Sequence, residues 1–128
     1  MTSEAAVQNH VRLNIANGGG VVWRNNVGAC KDEAGRMIRY GLCNESKQLN
    51  ERIKSSDLIG IVPVLIQPHH VGRVMGIFTA IECKAPDWRM TPSDSRAEAQ
   101  ARFHKIVKDI GGYAGFVRNQ TEMWELLK

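Results

Sequence analysis

The chain has 128 residues, with 17 Lys+Arg against 13 Asp+Glu and a formal net charge of +4. That length fits a single domain, 1–128, large enough to fold on its own core without disulfides. The three cysteines, Cys30, Cys43 and Cys83, form no C-x-x-C pair and no Cys/His quartet, which argues against a zinc knuckle or a disulfide framework.

Reduced thiols of this kind suit a cytoplasmic protein. The first residues, Met1 to Val11, mix Glu4, Gln8, Asn9 and His10 with apolar residues and do not read as a signal peptide. No apolar run approaches the roughly 20 residues that span a bilayer. A soluble, non-exported protein with no membrane partner is expected. The modest positive charge tilts the expected partner towards one bearing phosphates.

A first helix is predicted from Ser3, capped by Ser3 or Thr2, with Val7, Val11 and Ile15 as an apolar stripe. Asn17-Gly18-Gly19-Gly20 stops it. Val21-Val22-Trp23 reads as a short strand leading into the polar turn Arg24-Asn25-Asn26. Gly28 to Ser56 reads as a long loop with a hairpin around Met37 to Leu42. Leu58 to Val62 is predicted as a buried strand ending at Pro63, and Arg73 to Lys84 as a second one. With Gln67 to Gly72 as the turn, these two are expected to pair as a hairpin.

Ser93 or Asp94 then caps a second long helix whose apolar face is Ala99, Phe103, Ile106, Val107 and Ile110, ended by Gly111-Gly112. Tyr113 to Val117 is a further strand, and Thr121 caps a short last helix through Trp124 and Leu127. The expected fold class is α/β, in the order α-β-β-β-α-β-α, with helices flanking a central mixed β-sheet.

Glu82 and Lys84 stand two apart on one strand, hence on one face, while Ile81 and Cys83 point the other way. If the two strands form a hairpin, Asp57 at the start of one approaches Glu82 and Lys84 at the end of the other. Two carboxylates there suit Mg²⁺, a hard cation that takes a few oxygens and keeps several waters, and the Cys83 carbonyl offers one more. Such an ion neutralises a phosphate oxygen and acidifies a bound water, which Lys84 can orient. Glu-x-Lys alone, a common tripeptide, reads more readily as an ordinary pair at a strand end.

From about Glu4 to Val117 the chain resembles a minimal, stand-alone VRR-NUC domain of the PD-(D/E)xK nuclease superfamily. The resemblance is carried by the opening helix with Glu4, by Gly19-Gly20-Val21-Val22-Trp23-Arg24-Asn25-Asn26-Val27-Gly28, and by Ser55-Ser56-Asp57-Leu58-Ile59-Gly60. It continues in Ile81-Glu82-Cys83-Lys84, Gln100-Ala101-Arg102-Phe103 and Gly111-Gly112-Tyr113-Ala114. Two places depart from the family pattern. Lys54-Ser55-Ser56 precede Asp57 where members commonly carry Gly-Ser/Thr-Pro, and the Pro86 to Ser95 loop is longer and more charged.

The resemblance implies a restriction-endonuclease-like core and a Mg²⁺- or Mn²⁺-dependent endonuclease. In it Asp57 and Glu82 bind the metal with the Cys83 carbonyl, and Lys84 is the catalytic lysine. Glu4 reaches a metal-bound water or a second ion, and Gln100 hydrogen-bonds into the site. Glu4 on its own is as readily an exposed acid at a helix N-terminus, and Gln100 a solvated helix edge. Minimal members of this kind resemble phage enzymes that dimerise and cut branched DNA such as four-way (Holliday) junctions in the cytoplasm of a bacterial host. Alternatives are a nuclease for flaps, single-stranded DNA or RNA, and a non-catalytic nucleic-acid-binding module.

Arg24, Asn26 and Lys54 are candidate DNA contacts, with turn formation an equal role for the asparagines. His69-His70 reads as an exposed loop pair, since adjacent residues seldom chelate one ion. Trp88 either stacks on an exposed base or packs on a partner subunit.

Overall fold

The structure is a computed structural model describing residues 3–128. Thr2, a candidate cap, lies outside the described residues. The fold is mixed α/β, with four helices and three two-stranded sheets among the described residues. Its packing divides into two compact units, one of Met1–Asn17 with Val21–Gly60, the other of Gly18–Gly20 with Ile61–Lys128.

In the first unit, α1 (Glu4–Asn17) starts where Ser3 Oγ accepts the Ala6 amide at 3.1 Å, a side-chain cap on an otherwise orphaned donor. It packs beside β1 (Val21–Arg24). Its covered positions are Gln8, Arg12 and Ile15, while Val7 and Val11 of the expected stripe are exposed. Strand β1 pairs with β4 (Leu58–Ile61). The Asn25 amide donates to the Asp57 carbonyl at 2.8 Å, and Gly60 lies against Val21 and Val22, the sense of an antiparallel pair.

The stretch expected to be a loop is largely ordered structure. Antiparallel strands β2 (Gly28–Lys31) and β3 (Met37–Tyr40) form a hairpin, with Gly28 opposite Tyr40 and Lys31 opposite Met37. Asp32 closes the turn by accepting both the Arg36 amide (2.7 Å) and its Nε (2.9 Å). The buried Asn44 donates to the Gly28 and Tyr40 carbonyls, each at 2.8 Å, and accepts from the Arg39 guanidinium. A short helix, α2 (Lys47–Arg52), follows, capped by Ser46 on the Leu49 amide.

The second unit is a β-α-β arrangement with one helix appended. Strand β5 (Thr79–Cys83) pairs in parallel with β6 (Tyr113–Val117), Glu82 opposite Phe116, through the crossover helix α3 (Ser95–Asp109). Asp94 caps α3 on the Ala97 amide at 2.9 Å, and Gly111, at φ +99°, ends it as the left-handed residue a helix stop requires. Helix α4 (Gln120–Leu126) is capped by Asn119, two residues before the expected Thr121. Its Leu126 sits against Gly115, on the side of β6 opposite Ala114 and Phe116.

Three further sequence expectations need correction, the first being the central mixed β-sheet, in whose place stand three two-stranded sheets among the described residues. The partner of β5 is β6 and that of β4 is β1, in place of a β4–β5 hairpin. The run Val62 to Phe78 holds Pro63 and the Pro68–His70 turn and enters no strand before Thr79, so it is not the tight connection a hairpin needs. The buried face of α3 is Ala97, His104 and Val107, whereas Phe103 and Ile106 are exposed. Small Ala97 lets the helix lie close to the strands, which turns the larger residues outward. No helix among the described residues is long and apolar enough to cross a membrane.

Candidate functional site

Within the second unit, β5 turns its alternation the unusual way round. Ala80, Glu82 and Lys84 lie on the covered side, and Thr79, Ile81 and Cys83 on the exposed one. Helix α3 lies on β5 and β6, so a carboxylate and an ammonium occupy a face that elsewhere would carry apolar side chains. Glu82, with Arg96, Ala99, Gln100, Phe103 and His104 of α3, lines an open cleft of about 390 Å³.

The Lys84 side chain is only 16 % exposed. Its Nζ stands 3.9 Å from Glu82 Oε1, beyond hydrogen-bond reach. It also lies 5.2 Å from the Trp88 ring centroid and 5.7 Å from that of Phe116. Trp88 and Phe116 are themselves 4.9 Å apart, and His104 meets Phe116 edge-on at 4.8 Å. Trp88 therefore packs inside its own unit.

Gln100 Oε1 is buried with no hydrogen-bond partner among the described residues. A buried acceptor left unpaired costs about 1–3 kcal/mol, a cost that a bound donor or cation removes. Glu82 lines the same cleft, its carboxylate in a long ion pair with Lys84. The Gln100 amide and the Glu82 carboxylate are both hard oxygen donors, the type that Mg²⁺ or Mn²⁺ takes together with retained waters. No cluster of three or more His, Cys, Asp or Glu able to hold a metal occurs among the described residues.

His104 is the residue that sequence reading missed. Burial, and next the charge of Lys108, push its imidazole below the ordinary 6.5, against an upward pull from Glu82. It is thus a neutral ring lining the cleft. A helical stripe running Ala97, Gln100, His104, Val107 was the signal, hidden because two polar residues interrupt it.

Asp57 and Glu4 belong to the first unit, and both are exposed. Because β4 pairs with β1 and β5 with β6, no strand pairing brings Asp57 to Glu82 and Lys84. What orders the Asp57 segment is Asn25. Its Nδ2 donates to Ser55 Oγ (2.7 Å) and the Ser56 carbonyl (2.9 Å), and its Oδ1 accepts the Leu42 amide at 3.2 Å. Arg24, Asn26 and Lys54 are exposed, the last donating to Asn50 Oδ1 at 2.6 Å. His70 Nδ1 accepts the Gln67 amide at 2.9 Å and so closes a turn. Compared with protein-family models, curated proteins and solved structures, the chain matches none.

Proposed function

We propose that the chain is a Mg²⁺- or Mn²⁺-dependent endodeoxyribonuclease that hydrolyses DNA phosphodiester bonds, selects branched DNA such as four-way junctions, and works as a homodimer. The observation that carries this reading is that Glu82 lines one cleft with Gln100 of α3, whose buried oxygen is unpartnered among the described residues, and lies 3.9 Å from Lys84 on the covered face of β5. The ordered set of segments resembling a VRR-NUC domain supports it independently.

Glu82 and Gln100 would hold the cation, with the Cys83 carbonyl added by the resemblance. When bound, that ion supplies Lewis acidity to a phosphate oxygen and to water. Lys84 Nζ donates a proton in hydrogen bonds to the attacking water or to the phosphoryl oxygen where charge develops. Arg96, on the cleft wall, and the exposed Arg24, Asn26 and Lys54 of the first unit are the proposed phosphate contacts. The net charge of +4 favours encounter with a polyanion. The metal-binding roles that the resemblance implies for Asp57 and Glu4 are not part of this proposal, since both residues belong to the first unit.

The test is a panel of four-way junction, flap, duplex, single-stranded DNA and RNA, incubated with Mg²⁺, Mn²⁺ or a chelator. Metal-dependent cutting of the junction ahead of the other substrates supports the whole reading. Preference for another substrate replaces the junction assignment, and intact substrates throughout remove the enzyme. Light scattering at the assay concentration checks the dimer, and a monomer that still cuts junctions contradicts it.

A further inference from the structure

We infer that Trp88 and Phe116 form an aromatic clamp that positions the Lys84 ammonium for its work on the phosphate, so that Trp88 is a positioning residue of the active site. The catalytic half of this inference rests on the nuclease reading above; the clamp itself rests on geometry.

The local sequence builds the clamp. Lys84 leaves β5 tied to β6 by its amide, which donates to the Val117 carbonyl at 3.0 Å. Ala85-Pro86-Asp87-Trp88 then closes as a turn, the Trp88 amide donating to the Ala85 carbonyl at 3.0 Å. Pro86 stands at its second position, where a fixed φ favours such turns. The turn folds the indole back over the residue that precedes it. Phe116 comes from the opposite strand, beside Glu82 in the parallel register.

The ring pair is itself anchored. Arg118 Nη1 donates to the Trp88 carbonyl at 3.2 Å, and Arg118 Nε is held by Glu122 Oε1 at 2.9 Å. Hydrogen bonding to Arg118 keeps the Glu122 carboxyl below its ordinary range, so this anchor is charged at neutral pH.

The ammonium lies within about 6 Å of both centroids, the range in which a ring face attracts a cation. Its ion pair with Glu82 is too long for a hydrogen bond, so two rings, and not a hydrogen-bonded carboxylate, set its place. An ammonium held this way keeps its N–H donors for substrate. A hydrogen-bonded pair with Glu82 would consume one of them and occupy the carboxylate that the cation needs.

The experiment uses the full chain with Trp88→Leu and Trp88→Phe, read by NMR and by junction cutting under Mg²⁺. The Lys84 ε-methylene protons, assigned by their loss in Lys84→Met, should lie upfield of the other lysines. They should move back towards the ordinary position in Trp88→Leu, where Phe116 alone remains, and stay upfield in Trp88→Phe. Trp88→Leu should lower kcat about ten-fold with KM nearly unchanged, the pattern of a lost transition-state contact, and Trp88→Phe should restore most of it. An unshifted Lys84 in the wild type overturns the clamp. A shifted Lys84 with wild-type kcat in Trp88→Leu overturns the positioning role. A shifted Lys84 in a wild type that cuts no DNA overturns the nuclease reading and the positioning role together, while the clamp stands.

Discussion

Gln100 lines the cleft with Glu82, its buried Oε1 has no donor among the described residues, and that oxygen is best understood through what it costs. Gln100→Leu keeps the volume and removes the orphan acceptor, so folding stability should hold or rise by about 1 kcal/mol. Cutting activity should fall at the same time. Thermal melting beside a Mg²⁺ assay separates the two, and a destabilised variant would mean that the amide serves packing alone. His104 makes a different prediction. Its imidazole sits below 6.5 when folded, with burial as the main cause, so below that value the unfolded chain binds more protons than the folded one. Stability is therefore full above the unfolded value and drains as pH falls towards the folded one. Melting temperature should drop between about pH 7 and about pH 5 in the wild type and change less in His104→Asn. Equal slopes would place the buried charge elsewhere.

At the scale of elements, Gly60 shows how little room strand pairing leaves. A Cβ there would run into the Val21 carbonyl and the Val22 Cα, backbone atoms that cannot rotate away. Gly60→Ala should part β4 from β1 and destabilise the first unit by about 2 kcal/mol or more, visible as a lower denaturation midpoint. Asn25→Ala should act on the same region, since three hydrogen bonds that order Leu42, Ser55 and Ser56 are lost. A cost of about 1–3 kcal/mol is expected, and hydrogen exchange should locate the loosening in those loops.

The elements also show where sequence reading succeeds. Caps and stops of the long helices were legible, because Ser3, Asp94 and Gly111 act through local chemistry that their neighbours in sequence reveal. Strand partners were not. β5 finds β6 across the whole of α3, and no residue near Thr79 announces that pairing. Helix α2 was missed because Lys47-Gln48-Leu49-Asn50-Glu51-Arg52 has one apolar residue and no stripe to read. Of the site, the pairing of Glu82 with Lys84 followed from strand alternation. His104 and the clamp on Lys84 did not, since each depends on a ring brought from another element.

For the whole molecule, a +4 chain with exposed Arg24 and Lys54 should bind DNA chiefly through phosphates. Its affinity for any DNA shape should fall steeply between low and physiological salt, with junction preference surviving as a ratio. A salt-insensitive affinity would point to another kind of ligand. The central claim concerns chemistry and not binding, and one comparison reaches it directly. Wild type, Lys84→Ala and Glu82→Gln are to be incubated with a labelled four-way junction in Mg²⁺, with folding of each checked by circular dichroism. The wild type should cut, and each variant should be slower by about 100-fold or more, the scale on which losing one preorganised charge acts. Cutting by folded Lys84→Ala at the wild-type rate would contradict the account.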